Sequence, residues 1–355
     1  MLSTISGIRI GAVAVGVPTK WVSLEEQFGF EGSGMDERTL NKFIKNTGVE
    51  GRFVSVTQQT NSDLCCAAAE KLLTEKQIDR NKIGFLIYVS QTFDYRQPAT
   101  SLVLQHRLNI GIDCMAFDIG LGCSGYVYGL NVIGSLMMQS KAEYGLLLCG
   151  ETGTRDIICG KDVSNNEDIL FGDAGSATLL VRDPACPDMN FMSKSDGSRF
   201  RALIHPWGFY RNPVKVRDVD YMDGISVFNF STEEAPALIN DLMSEMKSSS
   251  EDYDYLVLHQ ANKLIMKQIA KKTGFPEEKS LKSIDIFGNT SSASIPTALV
   301  KNLADSVKGR SRFLLSGYGI GLSWGAVDCY IDEKDILPLV KTDEYFEDGY
   351  QSNDI

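Results

Sequence analysis

The sequence predicts an α/β protein built from two similar halves. Two observations carry this. Short apolar runs rich in β-branched residues alternate with helix-like stretches along most of the chain. The order also repeats: Ile83–Val89 resembles Tyr255–Leu258, and Tyr144–Cys149 resembles Arg312–Ser316, each pair offset by roughly 170 positions, as in a duplicated unit. Composition agrees. The chain has 355 residues, 43% hydrophobic and 23% charged, enough for a large core or two fused halves. A net charge of -11 argues against a nucleic-acid partner. No apolar run reaches membrane-spanning length. Met1–Gly7 lacks the basic region and apolar core of a signal peptide, so the expectation is a cytoplasmic protein.

Taken in order, Ile8–Val17 reads as a strand stopped by Pro18, and residues 24–45 as helical in part. Asn61–Leu73 reads as a helix, capped by Asn61 or Ser62 and alanine-rich in its middle. Ile83–Val89 is a buried strand, 91–98 a loop and Thr100–Arg107 an amphipathic helix. Cys114–Ile119 is a strand that runs into a glycine-flanked turn. Ser124–Ser140, apolar nearly all round, then reads as a helix buried on every side. Tyr144–Cys149 and Ser176–Val181 are strands. Residues 185–225 show turns and charge without a period and read as an insertion between the halves. In the second half, Glu233–Met246 and Ala261–Lys272 are helices around the strand Tyr255–Leu258. Ser294–Ala304 is a helix with Pro296 in its first turn, where proline is tolerated. Arg312–Ser316 and Gly325–Ile331 close the series as strands. The division expected is an N-terminal half over 1–184, a C-terminal half over 185–332 and an acidic tail over 333–355, docked in part or disordered.

The eight cysteines form no CxxC pair and no metal-like spacing with the three histidines, so no metal site is expected. Seven read as small buried hydrophobes. Cys123, in Gly120-Leu121-Gly122-Cys123-Ser124-Gly125, is different. Small residues flank its sulfur, which implies a tight turn and a close approach. The turn opens a helix, where outward backbone N–H groups favour a thiolate, so Cys123 is expected to be a nucleophile with a pKa below the free value of about 8.5. Two further stretches stand out. His259-Gln260-Ala261-Asn262 ends an apolar strand and abuts a helix, the usual place for site residues in α/β sheets. Gly288-Asn289-Thr290-Ser291-Ser292-Ala293-Ser294 is a small polar loop before a helix. Alone, the first could be a satisfied polar histidine at a strand end and the second a helix cap. Together they supply a histidine and an asparagine to a cysteine in repeated units.

Residues 120–125, 259–262 and 288–296, with Tyr318-Gly319-Ile320-Gly321-Leu322-Ser323-Trp324-Gly325, resemble the four signatures of β-ketoacyl-acyl carrier protein synthase III, a thiolase-fold condensing enzyme. Ile169–Ser176 and Met222-Asp223-Gly224 also match that pattern, and the resemblance spans residues 8–332. It implies a five-layered αβαβα thiolase-like fold with two pseudo-duplicated halves, and a homodimer. It implies acyl transfer onto Cys123, with the backbone N–H groups of Cys123 and Ile320 as oxyanion hole. A malonyl thioester, expected on acyl carrier protein, then loses carbon dioxide, and His259 and Asn289 donate to the enolate oxygen. The product is a β-ketoacyl thioester. No metal or redox cofactor is implied. The alternative is an acyltransferase of the same fold that passes the acyl group to an oxygen, nitrogen or sulfur acceptor, with His259 as general base.

Lys263, Lys267 and Lys271, with Lys272 adjacent, recur as one basic stripe on the helix after His259. On a chain this acidic, the stripe suggests docking of acyl carrier protein or of the phosphates of coenzyme A. The binding positions depart from the family. Phe43 stands where members stack a tryptophan on the adenine, and Asn165 and Leu264 stand where arginines are expected. Gln97 replaces a phenylalanine that closes the partner subunit's acyl pocket. With Gly224 these are the expected substrate-binding positions. They point to a primer other than acetyl-coenzyme A, in a housekeeping or a specialised pathway.

Overall fold

The computed structural model describes residues 1–28, 36–154, 169–206, 210–213 and 221–349. Two mixed sheets of six strands dominate it. We number their strands β1 (Leu2–Ile5), β2 (Ile8–Val17), β3 (Ile83–Val89), β4 (Met115–Ile119), β5 (Tyr144–Glu151), β6 (Ala174–Arg182), β7 (Met189–Ser195), β8 (Tyr255–Leu258), β9 (Ser280–Leu281), β10 (Arg310–Gly319), β11 (Ser323–Asp332) and β12 (Val340–Lys341). The helices that cover or separate them are α1 (Asn61–Glu75), α2 (Thr100–Arg107), α3 (Gly125–Met138), α4 (Gly224–Glu245), α5 (Lys263–Thr273) and α6 (Ser294–Leu303).

The first sheet has the order β12-β2-β6-β5-β3-β4 and the second β1-β7-β11-β10-β8-β9. In each, the two outermost of these pairings are parallel at the end that carries the site, and the hairpin strands run antiparallel. The chain orders match element for element: β2-α1-β3-α2-β4-α3-β5-β6 in one half, β7-α4-β8-α5-β9-α6-β10-β11 in the other. The repeat read from four strands therefore extends through the whole of both halves. Each terminus crosses over, because β1 pairs with β7 of the second sheet and β12 pairs with β2 of the first.

Strand alternation explains five layers. Successive side chains of a strand point to opposite faces, and here both faces are covered. Phe85, Ile87 and Val89 of β3 join a cluster with Val257 of β8 and with Tyr126, Leu130 and Ile133 of α3. Their neighbours Leu86 and Tyr88 pack outward with Ala68 and Leu72 of α1 and Leu104 of α2. In the second sheet Phe313 and Leu315 face the centre, and Leu314 faces Leu238 of α4 and Ile269 of α5. So α3 and α6 form a middle layer, with sheets on either side and helices outside both. This is the thiolase-like αβαβα arrangement.

Local sequence accounts for the helix ends. Thr60 and Asp63 close a reciprocal capping box on α1. Asn262 accepts from the Ile265 N–H, so α5 starts two residues later than the periodicity suggests. Three readings need correction. Residues 24–45 resolve, where described, into Leu24–Phe28 and Glu37–Thr47. Met189–Ser195 is a strand of the second sheet, so 185–225 is not simply an insertion. And α4 begins at Gly224, not Glu233, because Asp223 caps it through Ser226, which outweighs the poor helix formers in its first turns and Pro236 further along.

Candidate active site

Four chain segments meet at the strand ends. Cys123 lies in the turn between β4 and α3, with the Gly125 N–H bonded to the Gly122 carbonyl at 2.7 Å. The end of β10 packs directly on it. A Cβ at Gly319 would come 2.6 Å from the Cys123 Cβ and 2.9 Å from its Sγ, and one at Gly317 would come 2.8 Å from its carbonyl oxygen. Only glycine allows this approach. It brings the Ile320 N–H to the sulfur, beside the N–H of Cys123 itself, and both favour the thiolate.

That help is not enough. Burial pushes the Cys123 thiol up to about 11, the Ser291 hydroxyl 3.9 Å away offsets little of this, and the Glu151 charge adds to it. The expectation of a pKa below 8.5 is therefore wrong for the resting site. The helix N-terminus is there, but removing a thiolate from water costs more than the helix end returns. At rest the Cys123 sulfur is held as a thiol.

His259 follows β8 and is 2% exposed. Burial pushes its imidazole down to about 3, so the ring is neutral. Its Nδ1 lies 2.8 Å from the Ser294 Oγ, and that hydroxyl donates to the Ser291 carbonyl at 2.7 Å. The Ser294 contact holds the ring through Nδ1. Tyr318 fixes the ring from the side, at 5.5 Å between centroids and edge-on, while its hydroxyl donates to the His259 carbonyl.

Asn289 stands between β9 and α6. Its Oδ1 accepts from the Ser291 N–H at 2.9 Å, which fixes the amide orientation and leaves Nδ2 as the free, donating end. The loop is strapped down by the stretch before β6: Asn289 N–H donates to the Leu170 carbonyl, and Gly172 N–H to the Asn289 carbonyl. A Cβ at Gly172 would meet the Phe287 carbonyl at 2.1 Å, so this strap also requires glycine. Buried Asp173 anchors it by accepting from Ser55 N–H and from the Thr154 N–H and hydroxyl.

The other candidates lie further out. Phe43 is half-buried on the helix Glu37–Thr47, in the apolar cluster that includes Ile265 and Met266. Gly224 opens α4, and a Cβ there would meet nothing within 4 Å. Gln97 is exposed on the loop after β3, and Leu264 is 47% exposed on α5. Lys263, Lys267 and Lys271 are exposed on the same helix, whereas Lys272 is bound to Glu233 at 2.5 Å and so is not a free member of the stripe. Asn165 lies outside the described residues. No group of three or more metal-ligating side chains occurs among the described residues. Sequence reasoning passed over Glu151, a buried carboxyl at the end of β5 that acts on the Cys123 thiol. An acidic residue closing an otherwise apolar strand was the signal available.

Comparison with known proteins matches this architecture. Residues 117–197 and 243–330 fit the models for 3-oxoacyl-[acyl-carrier-protein] synthase III and for its C-terminal region. The β-ketoacyl-[acyl-carrier-protein] synthase III of Enterococcus faecalis is 34% identical over 290 residues, covering 79% of this chain and 87% of that protein. The chain belongs to the β-ketoacyl-acyl carrier protein synthase III family. As a member it is a condensing acyltransferase. The crystal structure of a 3-oxoacyl-(acyl-carrier protein) synthase from Burkholderia xenovorans superposes with a TM-score of 0.90 at 32% identity, covering 96% of this chain and 99% of that one. The priming β-ketosynthase of the R1128 polyketide pathway, at 22% identity and a TM-score of 0.80, shares the fold. No helix among the described residues is long and apolar enough to cross a membrane.

Proposed function

We infer that this synthase moves an acyl group from a thioester to Cys123 and condenses it with a malonyl thioester, with His259 relaying the cysteine's proton in the first step and donating to the enolate in the second. The observation that carries this is the convergence of the Cys123 turn, packed against Gly319, with the buried His259 ring and the oriented Asn289 amide at the ends of equivalent strands. The sulfur attacks the thioester carbonyl as its proton passes through His259 to the departing thiolate, which leaves as a thiol. The N–H groups of Cys123 and Ile320 receive the oxyanion. The neutral His259, as its Nε2–H tautomer, and the Asn289 Nδ2–H then both donate to the malonyl thioester oxygen as carbon dioxide leaves and the enolate forms. The enolate carbon attacks the acyl-cysteine. The released Cys123 thiolate takes a proton from solvent. Every atom is accounted for without a metal or redox cofactor.

The delivering thioesters are those of acyl carrier protein or coenzyme A. Lys263, Lys267 and Lys271, which make no ion pair among the described residues, suit an acidic carrier or a phosphate. Phe43 in place of an indole weakens stacking on the adenine, and Leu264 in place of an arginine removes a contact to a phosphate or a carrier at that point. Intact-mass analysis after exposure to a panel of acyl thioesters tests the first step: an adduct on wild type and none on Cys123→Ala is expected. Carbon dioxide release from malonyl-acyl carrier protein tests the second, and His259→Ala or Asn289→Ala should each lower it by about 10²–10³, the usual loss for one oxyanion donor. Adduct formation with turnover of another acceptor and no carbon dioxide would replace condensation with simple acyl transfer.

A further inference from the structure

Beneath the Cys123 turn lies a carboxyl that the mechanism above does not use. Glu151 is 5% exposed, at the last position of β5. It has no ion-pair partner among the described residues, but donors surround it. Thr92 Oγ1 donates to its Oε2 at 2.8 Å and Ser90 Oγ at 3.2 Å. The Gln91 N–H reaches Oε1 at 3.0 Å and Oε2 at 3.2 Å. From the other half of the molecule, Ser292 Oγ reaches Oε1 at 3.4 Å.

These contacts sit directly under the nucleophile. A Cβ on Gly122 would meet the Gln91 Oε1 at 2.0 Å and the Ser291 Oγ at 3.1 Å. The residue before Cys123 is thus wedged between the two loops that Glu151 joins. Ser291 in turn reaches the sulfur, and Ser292 packs 3.6 Å from where a Cβ on Gly125 would lie. Asn61, at the start of α1, holds Thr92 from behind with 2.8 Å bonds to its carbonyl and hydroxyl.

We propose that Glu151 is the positioning residue for the nucleophile: it ties the Ser90–Thr92 loop of the first half to Ser292 of the second, and so seats the Gly122–Cys123 turn against Gly319 while placing a negative charge behind the sulfur. The proposal rests on Cys123 being the nucleophile. Burial pushes the Glu151 carboxyl up to about 7, so its charge changes in the working range. The titratable groups that feel its charge are Cys65, Cys149, Tyr88 and Cys123, and the Tyr318 hydroxyl in turn feels that of Cys123. Burial holds each of these, and the His259 ring, neutral. Above the Glu151 pKa the carboxylate opposes ionisation of the thiol, and below it that opposition is gone.

The test uses the full-length protein with Glu151→Gln. Two readouts are followed: the rate of Cys123 alkylation by iodoacetamide from pH 6 to 9, located by mass spectrometry, and the condensation kcat and KM. Loss of the charge should raise alkylation at pH 8 roughly three- to tenfold, up to the tenfold that one pKa unit represents. The kcat should fall at least about tenfold with KM little changed, because the loops are no longer held in the reacting geometry. Faster alkylation with slower condensation is the signature expected. Wild-type values of both overturn the proposal, and so does a parallel fall of both, which a loosened fold would give. Should Glu151→Gln not fold, Ser292→Ala removes only the tie between halves and keeps the charge. It should lower kcat and leave the alkylation profile in place, and a wild-type kcat there overturns the proposal. Alkylation does not depend on the condensing reaction, so failure of that reading remains distinguishable.

Discussion

At the scale of single residues, the site separates groups that would otherwise titrate together. His259 and Glu151 are both buried, and burial moves them in opposite directions. The folded imidazole binds fewer protons than the unfolded one between its pKa of about 3 and the free value of 6.5. Its contribution to stability is present above pH 6.5 and is lost as the pH falls towards 3. The Glu151 carboxyl is raised from 4.5 to about 7, so its contribution is present below 4.5 and is lost as the pH rises through 7. Unfolding midpoints in denaturant should show this directly. His259→Phe should flatten the loss of stability below pH 6.5, and Glu151→Gln should flatten the loss between pH 4.5 and 7. Curves parallel to wild type would contradict the burial argument. Cys123 itself was legible from its glycine setting, but its proton affinity was not. Sequence shows the helix start and not the depth at which the sulfur sits.

At the scale of elements, the site depends on how closely β10 approaches the cysteine turn. Gly319→Ala would place a methyl group 2.6 Å from the Cys123 Cβ. Strand and turn must separate, which withdraws the Ile320 N–H from the oxyanion position. Acyl loading should slow by about 10² or more, the effect of an ångström of misplacement, while Gly309→Ala, with nothing within 4 Å, should leave it unchanged. Single-turnover acylation measures both. On α5, Lys263→Glu with Lys267→Glu and Lys271→Glu should raise KM for a carrier-bound substrate and make it less sensitive to salt, without altering acylation by a small uncharged thioester. The elements themselves were largely legible. Continuous apolar runs such as Phe85–Val89 mark strands buried on both faces, whatever lies far off in the chain. The errors fell where a cap or a pairing partner outweighs local composition, as at Asp223 for α4 and at Met192 and its neighbours for β7, which is fixed by pairing with β1 and β11.

At the scale of the whole molecule, the two halves are held by exchanged ends as well as by the shared α3–α6 layer. The tail after β11 crosses back to the first half. Ile336 and Leu337 are buried, β12 pairs with β2, and Gln59 donates to the Thr342 and Glu344 carbonyls. Beyond them Phe346 lies under Arg107 at 4.8 Å, and Tyr95 donates to Asp348 at 2.5 Å. The described part of the acidic tail is thus docked. Burying a side chain such as Ile336 or Leu337 stabilises by about 1.5–3 kcal/mol each. Ending the chain after Asp335 should therefore lower the thermal midpoint by several degrees in calorimetry, and an unchanged midpoint would remove the tail from the stability of the fold.

Alone, the sequence determined the α/β class and the duplication and singled out Cys123, because apolar runs and glycine turns are local features, whereas His259 and Asn289 were joined to it through the family resemblance. The tertiary structure decided the chemistry those residues have. Positions 123, 259, 289 and 319 come together only because equivalent strands of two sheets end at one place. Burial there, a property of the packed whole, holds the Cys123 sulfur as a thiol and the His259 ring neutral, and raises the Glu151 carboxyl.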